Sequence, residues 1–172
     1  MVRALFPGTF DPIHYGHIDI AERAARLFDE VIIAVYDKPL KSLLFPPDER
    51  ISLVRKTFEN HPKINVIGYS GLTVDACRKN DAQVIVRGLR VFSDFEFEFR
   101  MALANHRLDQ GIEIVALITA EEHTFLSSST VREIATLNGD VSSMVPPHVQ
   151  KALKNKLSSL DNQSPPPNAL RD

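Results

Sequence analysis

The sequence predicts an α/β protein built on a doubly wound parallel sheet with helices on both faces. Three observations lead there. Five short apolar runs are rich in β-branched residues and do not alternate cleanly with polar ones, as expected of strands buried on both faces. Amphipathic helical patterns lie between them, giving the strand–helix alternation of βαβ units. Turn residues close several runs: Pro7-Gly8, Asp37-Lys38-Pro39 and Gly88. Spacing alone leaves the strand order open.

The expected strands are Val2–Phe6, Val31–Tyr36, Ile64–Gly68, Gln83–Arg87 and Ile112–Ile118. A first helix is expected over His17–Phe28, where Ile20, Ala24 and Leu27 share a face, and a second over Asp48–Phe58, where Ile51, Val54 and Phe58 do. Leu72–Arg78 is a shorter third. Asp94–Phe99 alternates acidic residues with phenylalanine, which suits a strand. Phe92, Phe95, Phe99 and Ala102 nevertheless recur at helical spacing and lead into helix-forming Met101–Ala104, so a helix is expected. Ser127–Thr130 reads as a cap opening a further helix, with Ser129 or Thr130 at the cap and Glu133 completing a capping box with Thr130. Pro146-Pro147 introduces a last helix, His148–Leu160. Residues 1–160 form one domain on this reading, and 161–172, with three consecutive prolines, a disordered tail.

Composition narrows the function classes. The chain has 172 residues, 20 basic against 22 acidic, for a net charge of -2. That balance argues against a nucleic-acid binder working through bulk positive charge, but leaves room for a small anionic ligand. The single cysteine, Cys77, excludes an internal disulfide framework and a cysteine zinc site. No apolar stretch approaches the ~20 residues of a membrane span, and Pro7 interrupts any signal-like segment. The expectation is a cytoplasmic protein with no membrane or nucleic-acid partner.

The sharpest signal is Gly8-Thr9-Phe10-Asp11-Pro12-Ile13-His14-Tyr15-Gly16-His17, between the first strand and the first helix. In such sheets ligands bind beyond the carboxyl ends of the strands, and a helix N-terminus favours phosphate. The segment is neither a Walker loop nor a GxGxxG fingerprint. His14 and His17 can both donate to phosphate oxygens; capping or core histidines, or a metal pair lacking its third ligand, are the alternatives. Thr9 offers a hydroxyl, and Asp11 reads as a turn residue holding Pro12 and Ile13. Lys38 and Lys41 follow the second strand, where a lysine meets a phosphoryl group as a mobile charge. Arg87 and Arg90 flank Gly88 at the end of the fourth strand and suit a fork-like grip on phosphate, or pairing with Asp94 or Glu98. Glu98 is open between a ribose acceptor, an organiser of the arginines and a solvated acidic face. Ser127, Ser128, Ser129 and Thr130 offer hydroxyls and helix-start amides, as a second anion site or an ordinary cap. No nucleophile–base pair is visible, and Cys77 reads as a packing residue. Several anion-binding elements at strand ends describe a nucleoside triphosphate site of the kind phosphoryl or nucleotidyl transfer needs.

Four blocks carry a resemblance: Pro7–Ile20 (PGTFDPIHYGHIDI), Val84–Arg90 (VIVRGLR), Asp94–Ala102 (DFEFEFRMA) and Phe125–Glu133 (FLSSSTVRE). The chain resembles the nucleotidyltransferases of the HxGH class, and within them the bacterial phosphopantetheine adenylyltransferases, from about Val2 to Leu157. The resemblance implies a Rossmann-like sheet of five parallel strands, usually in a homohexamer. It implies reversible transfer of an adenylyl group from ATP to 4'-phosphopantetheine, giving dephospho-CoA and pyrophosphate, with Mg2+ and with coenzyme A as a feedback ligand. His17, Lys41 and Thr9 would act in catalysis. Gly8, Thr9, Phe10, His14, His17, Gly88, Leu89, Arg90, Glu98, Ser127, Ser128 and Ser129 would bind ATP. Thr9, Lys41, Thr73, Arg87 and Asn105 would bind the acceptor.

Three departures stand out. His14 occupies a position where many members carry threonine. Thr73 stands where methionine or leucine is common, making the arm pocket more polar. The run Ala104-Asn105-His106-Arg107 differs from the commoner MNR-type run around the retained asparagine. Two alternatives remain at this point: a sibling HxGH transferase acting on another phosphate acceptor, and a non-catalytic nucleotide-binding regulator. Having His17 and Lys41 together speaks against the regulator, since a sensor needs affinity without transition-state contacts.

Overall fold

The computed structural model describes residues 1–38 and 43–161. Its strands are β1 (Arg3–Gly8), β2 (Glu30–Tyr36), β3 (Ile64–Tyr69), β4 (Val84–Leu89) and β5 (Glu113–Ile118). The helices are α1 (Tyr15–Leu27), α2 (Pro47–Thr57), α3 (Thr73–Lys79), α4 (Phe92–Leu108), α5 (Ser128–Thr136) and α6 (Pro147–Asp161), with a 3-10 turn at Glu121–His123. All paired strands are parallel, in the order β3-β2-β1-β4-β5. This is a single-domain Rossmann-like fold. Residue 41 and the 162–172 segment, for which a lysine role and a disordered tail are expected, lie outside the described residues.

Burial explains the uninterrupted apolar runs. Ala4, Phe6, Val31, Ile33, Val35, Val84 and Val86 pack on one side with Ile20 and Ala24 of α1, Val54 of α2 and Val149 and Leu153 of α6. Leu5, Ala34 and Ile85 turn to the other side, against Val74, Ala76 and Cys77 of α3. Successive residues of one strand thus serve two cores, each fully buried aliphatic contributing about 1.5–3 kcal/mol.

The strand order opens the site. From β1 the chain winds outward through β2 to β3, then crosses back to place β4 on the other side of β1. A crevice forms where winding reverses, beyond the carboxyl ends of β1 and β4. Pairing between β1 and β2 runs from Arg3 to Gly8, whereas β1–β4 pairing ends at Leu5–Ile85. Pro7, with no N–H to give a ladder, sits just past that point.

Several boundaries differ from expectation. β4 continues through Arg87 to Leu89, because β5 pairs with it along its whole length. α1 begins at Tyr15, with His14 in the extended cap position, so His17 lies in the first turn rather than at the start. The cap of α5 is Ser127, whose Oγ accepts from the Thr130 amide at 3.0 Å. Thr130 is therefore already helical and forms no capping box with Glu133. The Asp94–Phe99 stretch is a helix as expected, but its polar side faces inward. Asp94 and Glu98 are half-buried, whereas Phe92 is 84% exposed and Phe95, Phe97 and Phe99 are about half exposed.

Candidate active site

A cleft of about 490 Å³ lies at the carboxyl ends of the central strands. The β1–α1 loop forms its floor, β4 and the start of α4 one wall, and the Ser127–Ser129 turn another. Tyr36, Tyr69 and Thr73 line the end nearest β2, β3 and α3. Of the candidate residues, Gly8, Thr9, Phe10, His14, His17, Thr73, Arg87, Gly88, Arg90, Glu98, Ser127, Ser128 and Ser129 all line this one space. Leu89 and Asn105 are not part of its lining. Residues separated by more than a hundred positions meet because each ends a strand or opens a helix at the same edge.

The β1–α1 loop is built around Phe10. Its backbone is left-handed (φ 50) and its ring is buried, packed edge-on against Phe6 at 5.6 Å and His17 at 4.9 Å between centroids. A side chain on Gly8 would strike that ring, since an added Cβ would lie 2.8 Å from Cε2. Glycine is therefore required by the loop's own packing.

His14 and His17 stack, with ring centroids 3.7 Å apart and planes inclined by 26°. The His14 backbone amide donates to Nδ1 of His17 at 3.3 Å. With Nδ1 accepting, the proton of a neutral His17 resides on Nε2. Burial holds the pKa of His17 well below the usual histidine range, and nearby His14, Arg90 and Arg87 lower it further. Burial also pushes His14 down to about 3, reinforced by Arg90 and His123. Both rings are thus neutral at physiological pH. His14 Nδ1 has no hydrogen-bond partner among the described residues.

The arginines are gripped by α4. Arg87 donates Nε to Oε2 of Glu98 at 2.7 Å and Nη2 to Oε1 at 2.5 Å, while Nη1 reaches the Pro7 carbonyl at 2.7 Å. Arg90 donates Nε and Nη2 to Asp94 at 2.9 and 3.2 Å, and Nη1 to the Leu126 carbonyl at 2.7 Å. Asp94 and Glu98 are four apart on one helical face, so one helix orients both guanidiniums. The pairing reading of these arginines holds geometrically, and both still line the cleft.

The start of α5 forms the opposite wall. The Ser128 hydroxyl donates to the Pro12 carbonyl at 2.8 Å, and Arg132 Nη1 donates to the Asp11 carbonyl. These bonds tie the helix to the β1–α1 loop; with the Thr130 amide taken up by Ser127 Oγ, Ser128 and Ser129 line the cleft at the helix start. Among the described residues no group of three or more His, Cys, Asp or Glu side chains is placed to hold a metal ion, and the His14–His17 pair gains no third ligand. No described helix is long and apolar enough to cross a membrane.

Sequence reasoning missed Tyr36, Tyr69, Asp94 and Thr119 as lining residues. Tyr36 closes its apolar run and Tyr69 directly follows the Ile64–Gly68 run, and that position at a strand's carboxyl end was the available signal. The Tyr69 and Thr73 hydroxyls lie 3.2 Å apart, and the Tyr36 and Tyr69 rings 5.1 Å.

The chain matches the cytidylyltransferase-like family model over residues 5–134. It is 53% identical over 154 residues to a phosphopantetheine adenylyltransferase of Roseiflexus castenholzii, covering 90% of this chain and 96% of the relative. It is 49% identical over 155 residues to one of Gloeobacter violaceus, with coverages of 90% and 96%. One of Aquifex aeolicus is 44% identical over 156 residues, covering 91% and 96%. A crevice at the sheet's switch point, floored by the GTFDP–HxGH loop and walled by paired arginines and a helix N-terminus, agrees with that kinship: the chain belongs to the cytidylyltransferase-like nucleotidyltransferases and, within them, to the phosphopantetheine adenylyltransferase family.

Proposed function

We propose that the protein transfers an adenylyl group reversibly from ATP to 4'-phosphopantetheine, releasing pyrophosphate and forming dephospho-CoA. The observation that carries this reading is the convergence of His17, Arg87, Arg90 and the start of α5 on one cleft. In the reaction an oxygen of the acceptor's phosphate attacks the α-phosphorus of ATP. The bond from that phosphorus to the β-phosphate bridging oxygen breaks, and pyrophosphate leaves with the electron pair. No side-chain nucleophile is needed, so catalysis is positioning and neutralisation of charge.

The residues divide accordingly. His17, neutral and protonated at Nε2, donates to the α-phosphate as charge accumulates there. Thr9 adds a hydroxyl, and Lys41 supplies a mobile positive charge where the two substrates meet. Arg87 holds the acceptor phosphate. Arg90, Ser128 and Ser129 hold the nucleotide phosphates, with Gly8, Phe10, His14, Gly88, Leu89, Glu98 and Ser127 completing the ATP side. Thr73 and Asn105 line the pantetheine arm, Thr73 through the hydroxyl pair it forms with Tyr69. Mg2+ would come with ATP and offset charge on its phosphates, as suits a cation that keeps part of its hydration shell, since among the described residues no cluster of three or more His, Cys, Asp or Glu side chains is placed to hold it. Coenzyme A, sharing the acceptor arm, is the expected feedback ligand.

The outward phenylalanines of α4 support assembly with further copies, in a homohexamer. Phe92, Phe95 and Phe99 form a stacked row, with centroids 6.3 and 5.8 Å apart, on the exposed side of the helix. A continuous apolar face of this kind favours a partner.

The test is pyrophosphate release from ATP and Mg2+ with 4'-phosphopantetheine, glycerol 3-phosphate or nicotinate mononucleotide, with product mass recorded. Release with phosphopantetheine alone, and a mass gain of one adenylyl group, is expected. Release only with another acceptor moves the protein to a sibling activity. ATP binding without release under any condition favours a regulator.

A further inference from the structure

One side chain that the transfer roles leave unused, Arg132, joins the wall of the cleft to its floor from behind. It sits one turn along α5 from Ser128 and Ser129 and is not part of the cleft lining. Its Nη1 donates to the Asp11 carbonyl, 121 positions away along the chain, and approaches Asp11 Oδ2 at 3.4 Å. Its Nη2 reaches Ser129 Oγ at 3.4 Å. One guanidinium thus touches the β1–α1 loop with one arm and a cleft-lining serine with the other.

The loop end of this bridge is firmly held. Asp11 reads from sequence as a local turn residue, but it is 1% exposed and its carboxylate accepts from the Leu44 amide at Oδ2 and the Phe45 amide at Oδ1, both at 2.9 Å. Arg50, fully buried, fixes the backbone beside it. It donates Nη1 to the carbonyls of Thr9 and Tyr36 at 2.7 Å each, Nε to the Phe45 carbonyl at 3.1 Å and Nη2 to the Asp37 carbonyl at 3.4 Å. Among the described residues, its side-chain hydrogen bonds all go to backbone carbonyls.

The α5 end has fewer anchors. Val131 is its buried residue, with Ile134 and Ala135 partly buried against the core. Apolar contacts of this kind are non-directional, so bonds to the loop must set where the helix start lies. The Ser128 hydroxyl gives one, to the Pro12 carbonyl at 2.8 Å, yet Ser128 also lines the cleft. A serine hydroxyl has a single proton to donate. When it turns to a phosphate oxygen, the bond to Pro12 is lost, and among the described residues Arg132 is the hydrogen-bonded tie that remains between α5 and residues 11–12. We propose that Arg132, anchored on Asp11, is a positioning residue for the nucleotide. It keeps the Ser128–Ser129 turn in place against the floor of Thr9 and His17, so that the serines exchange the loop for phosphate without the wall moving. This rests on the reading of Ser128 and Ser129 given under the proposed function. A planar fork suits the task, because lysine has one donor centre and cannot span Asp11 and Ser129 together.

The experiment is a mutant cycle on the full chain. Arg132→Ala and Arg132→Lys are each made alone and in a background carrying both Ser128→Ala and Ser129→Ala. Directly measured ATP affinity, kcat, the KM of each substrate and urea unfolding are compared. Arg132→Ala is expected to weaken ATP binding about tenfold or more and to change the phosphopantetheine KM by less than about threefold. Arg132→Lys, which keeps the charge and loses the fork, is expected to weaken ATP binding about fivefold or more. In the double-serine background each change is expected to cost less than about threefold, because the groups it positions are gone. An equal factor in both backgrounds overturns the proposal, since an arginine that binds phosphate itself gives that result. Full recovery of affinity by lysine overturns it too, as does a loss of stability with ATP affinity unchanged. If Arg132→Ala fails to fold, Arg132→Lys decides; if neither folds, the residue belongs to the fold and the assignment falls. An unsubstituted protein that binds ATP but releases no pyrophosphate overturns the transfer reading, while the affinity cycle still decides Arg132. One that binds no ATP overturns both.

Discussion

Arg87 and Glu98 meet in a two-pronged ion pair, with contacts of 2.7 and 2.5 Å, while the third arm of the guanidinium holds the Pro7 carbonyl. That carbonyl lies beyond the last β1–β4 pair. The arginine therefore bridges two strands where their pairing stops and presents its charge at the mouth of the opening. Lysine has a single donor centre and cannot hold both Glu98 oxygens and Pro7. Arg87→Lys is expected to raise the KM for phosphopantetheine about tenfold or more and to leave that for ATP within about threefold. Steady-state kinetics with each substrate varied in turn checks this; an equal rise for both reassigns Arg87.

The two histidines should separate kinetically. His17 is tautomerically set by the His14 amide and has its Nε2 proton available to a developing charge. His17→Ala is expected to lower kcat by about a hundredfold or more, with ATP affinity within about tenfold. His14→Ala should cost much less. Equal losses would overturn the division of labour.

Both histidines are held neutral by the fold, and this has a sign in stability. Burial lowers His14 to about 3 and His17 well below its ordinary value of 6.5. Below pH 6.5 the unfolded chain binds protons the native state does not, so stability falls as pH falls through that window. The slope is up to about 1.4 kcal/mol per pH unit for each histidine. Urea unfolding from neutral to mildly acidic pH is expected to show it, and His14→Asn to flatten it by about one proton.

Ser127 contributes through helix capping. Its Oγ satisfies the Thr130 amide at 3.0 Å and meets the Thr130 hydroxyl at 2.8 Å. Ser127→Ala is expected to destabilise the protein by about 1 kcal/mol in urea unfolding. Because α5 walls the cleft, a weaker ATP affinity should accompany it.

Cys77 packs under the sheet against α3's core neighbours, and burial, with Asp109 adding, pushes its thiol up to about 11. A thiol so protonated and enclosed is a poor nucleophile. Iodoacetamide is expected to spare it in the native protein and modify it on unfolding, as mass spectrometry would report.

Much of this was legible along the chain. The five apolar runs, the helical spacing of Phe92, Phe95 and Phe99, and the Gly8–His17 block are local patterns. Burial on two faces, helical period and loop chemistry write themselves into neighbouring residues. The same locality misled at Asp11, whose partners are Leu44 and Phe45, and at the α5 cap, where four adjacent hydroxyl residues offer equivalent candidates.

By itself the sequence determined the α/β class, the strand and helix identities, and the residue types that converge on phosphate. Only the tertiary structure decided that β4 returns beside β1, and with it where the crevice lies. It also decided that α4 turns Asp94 and Glu98 inward onto the arginines, that the two tyrosines reach the cleft, and that Arg50 spends its charge on backbone carbonyls. Crossover order and long-range hydrogen bonding depend on which distant surfaces pack together. A run of neighbouring side chains carries no record of that choice, because periodicity reports which face is buried and not what buries it.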